Sequence, residues 1–441
     1  MRTLTLVLVL SAVALSVLAE EPAPMTAVDL ISVTRQGEAR LAPDGSAVLF
    51  VRSEVDWEED ARVEHIWMVP ARGGEPIQMT AGAGGESSPR FSPDGARFAF
   101  VATRQGDTAQ AFVQRLRGGE ALQLTEHETD VDDIAWSPDG GTLYFLAADP
   151  PSEAEEDLEE RTAGAYSFDR DHHHRHLWAF DLEAGAERRV TDGEYSVLAY
   201  RVSRDGARIV AQIGPSPLFD DWDESEVSLL DPATGEHRPL TDNGVFESDG
   251  ALSPSGDRVL FVAGADADLE GYHQGNLFVV PAAGGEARLL AEGFVGEVHA
   301  AWWNDDSSII FLANEGVRTD LYRFDPRVHH ITRLTEGDHS IRSAHPVPGI
   351  GIAAVESTPS SPGDVLLVRP RTEAVRLTDY GAELAERFVM PEVEVFRWQG
   401  ADGVTVEGIL THPLNRGEGE RAPLVVQSHG GPAAAATLRF P

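Results

Sequence analysis

A repeated phrase constrains the fold of this 441-residue sequence more than any other feature. Each copy has an apolar residue, a turn of the Ser-Pro-Asp-Gly type and then a β-prone run. Proline presets φ, aspartate caps the turn and glycine takes a positive φ, so each copy predicts a hairpin. From the clearest to the most degenerate, the copies begin at Leu41, Phe91, Trp136, Val202, Leu252, Trp303 and Pro346.

A second phrase follows each copy and ends in Leu-Thr or a relative of it. Runs such as 98–101 are apolar at nearly every position, which is typical of strands between neighbouring sheets. A repeat of 40 to 50 residues with four short strands is typical of a propeller blade. We predict an all-β fold, a seven-bladed β-propeller over 35–380; six or eight blades, an open solenoid and a sandwich pair remain alternatives. The phrase ends at Thr80, Thr125, Thr191, Thr241, Ala291, Thr335 and Thr378.

Composition excludes several classes of function. The net charge of −38 excludes a nucleic-acid binder and docking on an anionic membrane surface. With no cysteine, disulfides, iron–sulfur clusters and cysteine nucleophiles are excluded. All 35 basic residues are arginine, which excludes a Schiff-base lysine and a P-loop lysine. We expect no cofactor.

The N-terminus has the layout of a secretory signal peptide. A short basic start, an apolar run over 3–18 and a small-residue cleavage site precede an acidic segment. The run is shorter than the ~20 residues that span a bilayer, which disfavours the alternative of a membrane anchor. We predict a signal peptide at 1–19, a linker at 20–34 and a secreted or periplasmic mature protein.

In several repeats an acidic insertion occupies the same slot, which is the loop between the strand that follows the Asp-Gly turn and the next apolar strand. That slot opens at one end of a propeller, so the carboxylates gather on one rim. They form either a solvated edge or a negative electrostatic field that attracts cationic ligands such as peptide amino termini. A run of histidines at 172–174 alternates sides on an extended segment, so we expect no metal site there. The insertions include 54–60, 149–175, 220–224 and 266–270.

The pattern changes after residue 380. The last apolar run ends in a Gly-Gly turn, whose backbone N–H groups point outward, as in the oxyanion loop of an α/β-hydrolase. In order, we predict a helix at 383–388, a hairpin of strands 393–398 and 404–411, a buried strand at 423–428, and the loop His429-Gly430-Gly431-Pro432.

These features together resemble the prolyl oligopeptidase family of secreted bacterial serine peptidases, especially its acylaminoacyl- and dipeptidyl-peptidase-like branches. The resemblance implies a propeller that caps a hydrolase domain and limits substrates to short peptides. It implies that the Gly431 N–H faces the oxyanion while His429, Gly430 and Pro432 shape the loop. It also implies a glutamate pair that grips the substrate amine, for which the candidates are Glu58, Glu59, Glu155 and Glu156.

The sequence departs from this family in one respect. It contains no Gly-x-Ser-x-Gly nucleophile motif, and the 61 residues after 380 are too few for a hydrolase sheet. We therefore expect 381–441 to be the incomplete start of that domain, the Ser/Asp/His triad to lie beyond Pro441, and this chain alone to be inactive. The alternative is a non-catalytic periplasmic propeller scaffold, like translocation-associated propellers; the hairpin and His-Gly-Gly-Pro loop favour the peptidase.

Overall fold

The computed structural model describes residues 21–162, 172–271, 274–370, 372–414, 417, 419–431 and 434–441. The predicted signal peptide and Pro432 lie outside the described residues. Strands account for 47% of the described residues and helices for 6%, which confirms the mainly-β prediction. In the described ranges no helix is both long and apolar enough to span a membrane.

The segment predicted as a linker contains regular structure. Strand β1, Ala23–Pro24, pairs in parallel with Phe388–Val389, and helix α1, Ala27–Ser32, follows it. The Thr26 hydroxyl accepts from the Asp29 N–H at 3.2 Å, while the Asp29 carboxylate accepts from the Thr26 N–H at 2.9 Å. This capping box fixes the start of the helix.

Sheets 1 to 3 each contain four antiparallel strands paired in chain order. Sheet 1 consists of β2 Arg35–Leu41, β3 Ala47–Asp56, β4 Ala61–Pro70 and β5 Ile77–Gln78. Sheet 2 consists of β6 Glu86–Phe91, β7 Arg97–Ala102, β8 Gln110–Arg115 and β9 Leu122–Gln123. Sheet 3 consists of β10 Val131–Trp136, β11 Thr142–Ala148, β12 Arg175–Asp181 and β13 Ala186–Arg189.

Sheets 4 and 5 repeat this plan, and sheet 6 has eight strands in two halves, joined by the single parallel pair Thr319–Ser340. Sheet 4 consists of β14 Ser196–Val202, β15 Ile209–Gly214, β16 Glu226–Leu230 and β17 His237–Pro239. Sheet 5 consists of β18 Glu247–Leu252, β19 Arg258–Ala263, β20 Asn276–Pro281 and β21 Arg288–Leu289. The first half of sheet 6 consists of β22 Glu297–Asp305, β23 Ser308–Glu315, β24 Arg318–Asp325 and β25 His330–Arg333. The second half consists of β26 Ser340–Val347, β27 Gly351–Thr358, β28 Ser361–Val368 and β29 Val375–Arg376.

Short helices and a hairpin complete the fold. The insertion at 149–175 contains helix α2, Glu153–Thr162, and the insertion at 220–224 overlaps a 3₁₀ helix, Phe219–Glu224. The predicted helix and hairpin after residue 380 are confirmed. They are helix α3 Tyr380–Arg387, followed by β30 Phe388–Val389, β31 Val393–Gln399 and β32 Thr405–Thr411.

The Asp-Gly turns have the predicted chemistry. In the fourth copy the Ser203 hydroxyl donates to Asp205 at 2.6 Å, and Asp205 accepts from the Ala207 N–H at 3.0 Å. These hydrogen bonds hold the pKa of Asp205 below its ordinary value. The turn glycines have φ between +66° and +78°, where only glycine is unstrained. They are Gly45, Gly95, Gly140, Gly206 and Gly256.

The threonine of the Leu-Thr phrase has a role that the sequence did not reveal. The Thr335 hydroxyl accepts from the Leu321 N–H at 3.1 Å and donates to the Asp320 carboxylate at 2.7 Å. Thr125 bonds in the same way to the Ala111 N–H and the Gln110 side chain. Each hydroxyl thereby satisfies a buried backbone donor on a third strand of its sheet.

Neighbouring sheets pack face to face, and we call each such interface a seam. Leu146 of sheet 3 packs in one cluster with Ile209 of sheet 4, for example. Phe50 of sheet 1 shares a cluster with Val355 and Leu367 of sheet 6. Because the last sheet packs on the first, the seams close into a ring.

Candidate active site

The predicted oxyanion loop lies on an exposed segment of the chain. Gly431 has a φ of +146°, which glycine adopts without strain. The His429 Nδ1–H donates to the carbonyl oxygen of Gly430 at 3.0 Å. His429, Gly430 and Gly431 are exposed and the chain bends at Gly431, with Pro432 outside the described residues.

The prediction of a buried strand over 423–428 is wrong. No strand is present in 421–430, and Leu424, Val425 and Val426 are 74%, 88% and 82% exposed. An apolar run of this kind is buried inside a parallel sheet, and no described strand lies beside it. The N–H groups of the loop consequently lack the sheet that would hold them in position.

The tail that follows the loop returns to the ring and is anchored there. The Leu438 N–H donates to the Val317 carbonyl at 2.8 Å, and the Phe440 N–H donates to the Ser357 hydroxyl at 3.0 Å. Leu438 and Phe440 are buried, and Phe440 packs in one cluster with Val33 beside helix α1. Sheet 6 therefore fixes the chain shortly after the loop.

The hairpin β31–β32, which precedes the loop, is anchored at the same turn of sheet 6. Glu407 accepts from the Val317 N–H at 3.3 Å and from Arg397 Nε at 2.6 Å. Phe396 and Trp398 of this hairpin are about half exposed, with their rings stacked 5.8 Å apart. The segments on both sides of the loop thus meet the turn at Val317.

The turn at Val317 joins the second and third strands of its half-sheet, the slot that holds the acidic insertions in other sheets. Antiparallel strands alternate in direction, so this slot opens at the same end of every sheet in the ring. The anchors on either side of the predicted oxyanion loop therefore share one end of the ring with the acidic insertions.

The structure gives the candidate glutamates local roles. Glu58 and Glu59 lie in the exposed tip of the β3–β4 hairpin, where their backbone N–H groups donate to Asp56. The Glu155 carboxylate accepts from the Ser152 N–H at 2.7 Å and its hydroxyl at 2.6 Å, which caps α2 and lowers the pKa of Glu155. Among the described contacts, no hydrogen bond or ion pair joins these glutamates to the loop; the Glu156 side chain lies outside the description.

No metal position is formed by the described residues, in which no three histidine or acidic side chains are grouped to hold an ion. The rings of His172 and His174 are in contact, with centroids 5.5 Å apart. Asp169 and Asp171, which precede them, lie outside the described residues.

Sequence reasoning missed a buried charge cluster between the halves of sheet 6. His339 Nε2 lies 2.8 Å from Asp320, and its Nδ1 lies 2.7 Å from Glu356. Arg333 pairs with Asp320, and Arg376 pairs with Glu356 at 2.6 Å. These five residues come from separated strands and loops, so no local motif signals the cluster.

The cluster makes His339 a cation. Burial alone lowers the pKa of an imidazole, but here the hydrogen bonds and charges of Asp320 and Glu356 outweigh burial and raise the pKa of His339 to about 9. A protonated imidazole has no lone pair to accept a proton at neutral pH. His339 therefore joins the two half-sheets and cannot act as a general base there.

Comparisons with known proteins give relatives among the peptidases. No protein-family model matches the sequence. The uncharacterized peptidase YuxL of Bacillus subtilis (strain 168) is 34% identical over 89 residues, which are 20% of this chain and 14% of that protein.

Solved structures of peptidases have a similar fold. The acylaminoacyl peptidase of Pyrococcus horikoshii superposes with a TM-score of 0.72 at 20% identity, over 93% of this chain and 62% of that one. The puromycin-hydrolyzing peptidase of Mycobacterium tuberculosis superposes with a TM-score of 0.67 at 18% identity, over 96% of this chain and 66% of that one. The β-propeller domain of the Trilobed protease from Pyrococcus furiosus superposes with a TM-score of 0.57 at 16% identity, over 79% of this chain and 96% of that domain. This chain thus spans about 62% of the length of the first of these proteins.

Proposed function

We propose that this chain is the propeller-bearing part of a serine peptidase that hydrolyses short peptides. The resemblance to the prolyl oligopeptidase family is confirmed by its structural neighbours, which are acylaminoacyl peptidases and a puromycin hydrolase. At these identities the likeness shows the fold, so the activity is our inference for this chain.

The observation that carries the proposal is the extent of the match. It covers 93% of the chain, more than the ring at 35–380 can supply by itself. The matched region therefore includes segments that lie outside the ring. A binding scaffold built only of the ring has no need of those segments.

The ring is proposed to be a seven-bladed propeller, with sheets 1 to 5 as five blades and the two halves of sheet 6 as two more. In support, each half has four strands and its own cluster of buried residues against a neighbour. We propose that this propeller limits access to a hydrolase domain that begins at 381, and that the mature protein is secreted or periplasmic.

Within the site, we propose that the Gly431 N–H stabilises the oxyanion of the tetrahedral intermediate. Acyl transfer also needs a nucleophile, a base and an orienting carboxylate. The sequence has no Gly-x-Ser-x-Gly motif, so the 441-residue chain alone is proposed to be inactive. The acidic end of the ring would attract the amino termini of peptides.

The test compares two proteins on aminoacyl and dipeptidyl anilides. Residues 20–441 should show no hydrolysis above background, whereas the same chain extended by a hydrolase segment with Gly-x-Ser-x-Gly should be active and inhibited by serine-directed reagents.

In the extended protein, Gly431→Ala should lower kcat roughly 100-fold, since a misplaced oxyanion donor has this effect. Gly419→Ala is the matched control, because Gly419 also has a positive φ of +77° and is open to solvent. Serine-dependent turnover by residues 20–441 alone would contradict the proposal.

A further inference from the structure

A continuous line of ring contacts crosses the seam between sheets 3 and 4. His172, His174 and His176 occupy alternate positions leading into and along β12, so their side chains share one side, with ring centroids 5.5 Å and 6.4 Å apart. Tyr195 lies 5.5 Å from His176 and 4.8 Å from His237 of sheet 4. We call these five residues the histidine seam. In the described part of the chain, histidine rings contact one another only here.

The hydrogen bonds of the histidine seam suit neutral imidazoles. His174 Nδ1 lies 3.1 Å from the Ser196 hydroxyl, and His176 Nδ1 lies 3.2 Å from the Thr191 hydroxyl. Three ring nitrogens are buried and have no hydrogen-bond partner: His176 Nε2, His172 Nδ1 and His237 Nδ1. In a neutral imidazole one nitrogen carries a lone pair that can stay without a hydrogen-bond donor. An imidazolium has two N–H donors, and both need acceptors.

The nearest carboxylate is already paired. Asp149 lies 3.5 Å from His176 Nε2, and its other oxygen lies 2.8 Å from Arg189. Burial and the Arg189 charge together lower the pKa of His176 to about 4, and burial lowers the pKa of His174 and of His237. The titratable and charged groups that act on these histidines, apart from the seam itself, are Asp149, His173, Arg189, Asp192 and Glu194.

We propose that the histidine seam is an acid-sensitive latch. It holds sheet 3 against sheet 4 while His174, His176 and His237 are neutral, and it releases the two sheets when these three rings take up protons. Protonation places like charges about 5 to 6 Å apart and beside Arg189, where they repel. It also gives His237 a buried Nδ1–H donor that has no acceptor. This seam therefore loosens in mild acid, whatever reaction the protein catalyses.

Release of this seam alters one end of the ring. Helix α2 lies between β11 and β12, and therefore belongs to the sheet that the latch holds. The insertion slot of that sheet opens at the end where the tail and the hairpin are anchored. Acid would thus loosen helix α2 at that end.

Hydrogen exchange of the full chain between pH 7 and pH 4.5, corrected for intrinsic rates, tests the latch. Amides of β12 and β14 should lose protection by about tenfold per pH unit for each coupled proton. Amides of β7 and β23 in sheets 2 and 6 should keep their protection over the same range; sheet 1 is no control, because the Leu41 N–H donates to the imidazole of His345 at 3.1 Å and burial holds the pKa of His345 well below its ordinary value. Equal loss in all four strands, or no loss in β12 and β14, would overturn the proposal.

A pair of variants locates the effect. His176→Gln keeps an amide able to bond Thr191 but does not titrate, so it should remove most of the acid-dependent loss in β12. His330→Gln, at an exposed position of β25, is the control and should leave the loss unchanged. If His176→Gln folds and the acid dependence persists, the latch is disproved. If it does not fold, the exchange profile of the wild-type chain still decides the proposal.

Discussion

Two buried histidines are held in opposite charge states, His176 between sheets 3 and 4 and His339 between the two halves of sheet 6, an interface that we also call a seam. The side chains of His176 and His339 are 0% and 3% exposed, so burial is nearly the same for both. His176 meets the Thr191 hydroxyl and a carboxylate already paired with arginine, whereas His339 lies between the carboxylates of Asp320 and Glu356. The partners of a buried imidazole, rather than its burial, decide whether it carries a proton.

The two seams therefore respond to pH with opposite signs. The pKa of His176 is about 4, below its ordinary 6.5, so its contribution to stability is complete above pH 6.5 and is lost as pH falls towards 4. The pKa of His339 is about 9, so its contribution is complete below pH 6.5 and is lost as pH rises through 9. The ring should be most stable between these limits.

The largest effect should come from removing a carboxylate at sheet 6. Asp320→Ala leaves the His339 imidazolium and Arg333 without their shared partner in a buried site. Breaking a buried charge cluster in this way costs about 3–5 kcal/mol of unfolding free energy. Denaturant unfolding at pH 7 measures the loss.

Asp338→Ala is the matched control for that variant. Asp338 pairs with Arg318, but its side chain is 68% exposed, and exposed pairs contribute less than about 1 kcal/mol. Similar losses for the two variants would mean that the cluster at His339 adds nothing beyond a surface ion pair.

The next effect separates the two seams by pH. His339→Gln should lower the melting temperature at pH 7 and remove the decline that the wild type shows between pH 6.5 and 9. His176→Gln should instead flatten the decline between pH 6.5 and 4. Each unit of pKa shift corresponds to about 1.4 kcal/mol, so either decline is at most roughly 3 kcal/mol. Melting curves measured from pH 4 to 10 check both predictions. If the two variants changed the same decline, acid or alkaline, the comparison between the seams would be contradicted.

A smaller effect concerns the threonines that serve the two seams. Both hydroxyls accept from a backbone N–H, but Thr335 also donates to the Asp320 carboxylate, whereas Thr191 also bonds to the neutral His176 ring. Thr335→Val should therefore cost about 1–3 kcal/mol and Thr191→Val about 1 kcal/mol. Thr332→Val, on the exposed face of β25, should change unfolding free energy by less than about 0.5 kcal/mol. The reverse order of Thr335 and Thr191 would refute the assignment.

The difference between the seams also marks what the sequence could reveal. The hairpins followed from local chemistry, because Ser203, Asp205 and Gly206 bond within one turn. The Leu-Thr phrase was visible as a repeat, but the partner of each threonine lies on another strand. Neither the Asp320–His339 pair nor the neutral state of His176 leaves a local pattern, because each depends on which strands meet at a seam.

The candidate site was predictable only in part. The sequence located the turn at Gly431 and the hairpin, since Gly-Gly and Asp-Gly turns are determined locally. The strand at 423–428 was mispredicted, because an apolar run becomes a strand only when neighbouring strands accept its backbone. The anchors at Val317 and Ser357 were missed, as they join positions far apart in the chain.

The smallest expected effect is that of salt, and it distinguishes exposed carboxylates from buried ones. The chain has 73 acidic residues and a net charge of −38, so self-repulsion should weaken the fold at low ionic strength. Raising the salt from about 0.01 to 0.15 M shortens the Debye length from about 30 to 8 Å, and the melting temperature should rise by no more than about 4 °C. The charges around His339 are buried and nearly out of reach of this screening, so the midpoint of the alkaline decline should not move. A midpoint that moves with salt would mean that ions reach the cluster, and the pKa of His339 would then owe less to Asp320 and Glu356 than their hydrogen bonds indicate.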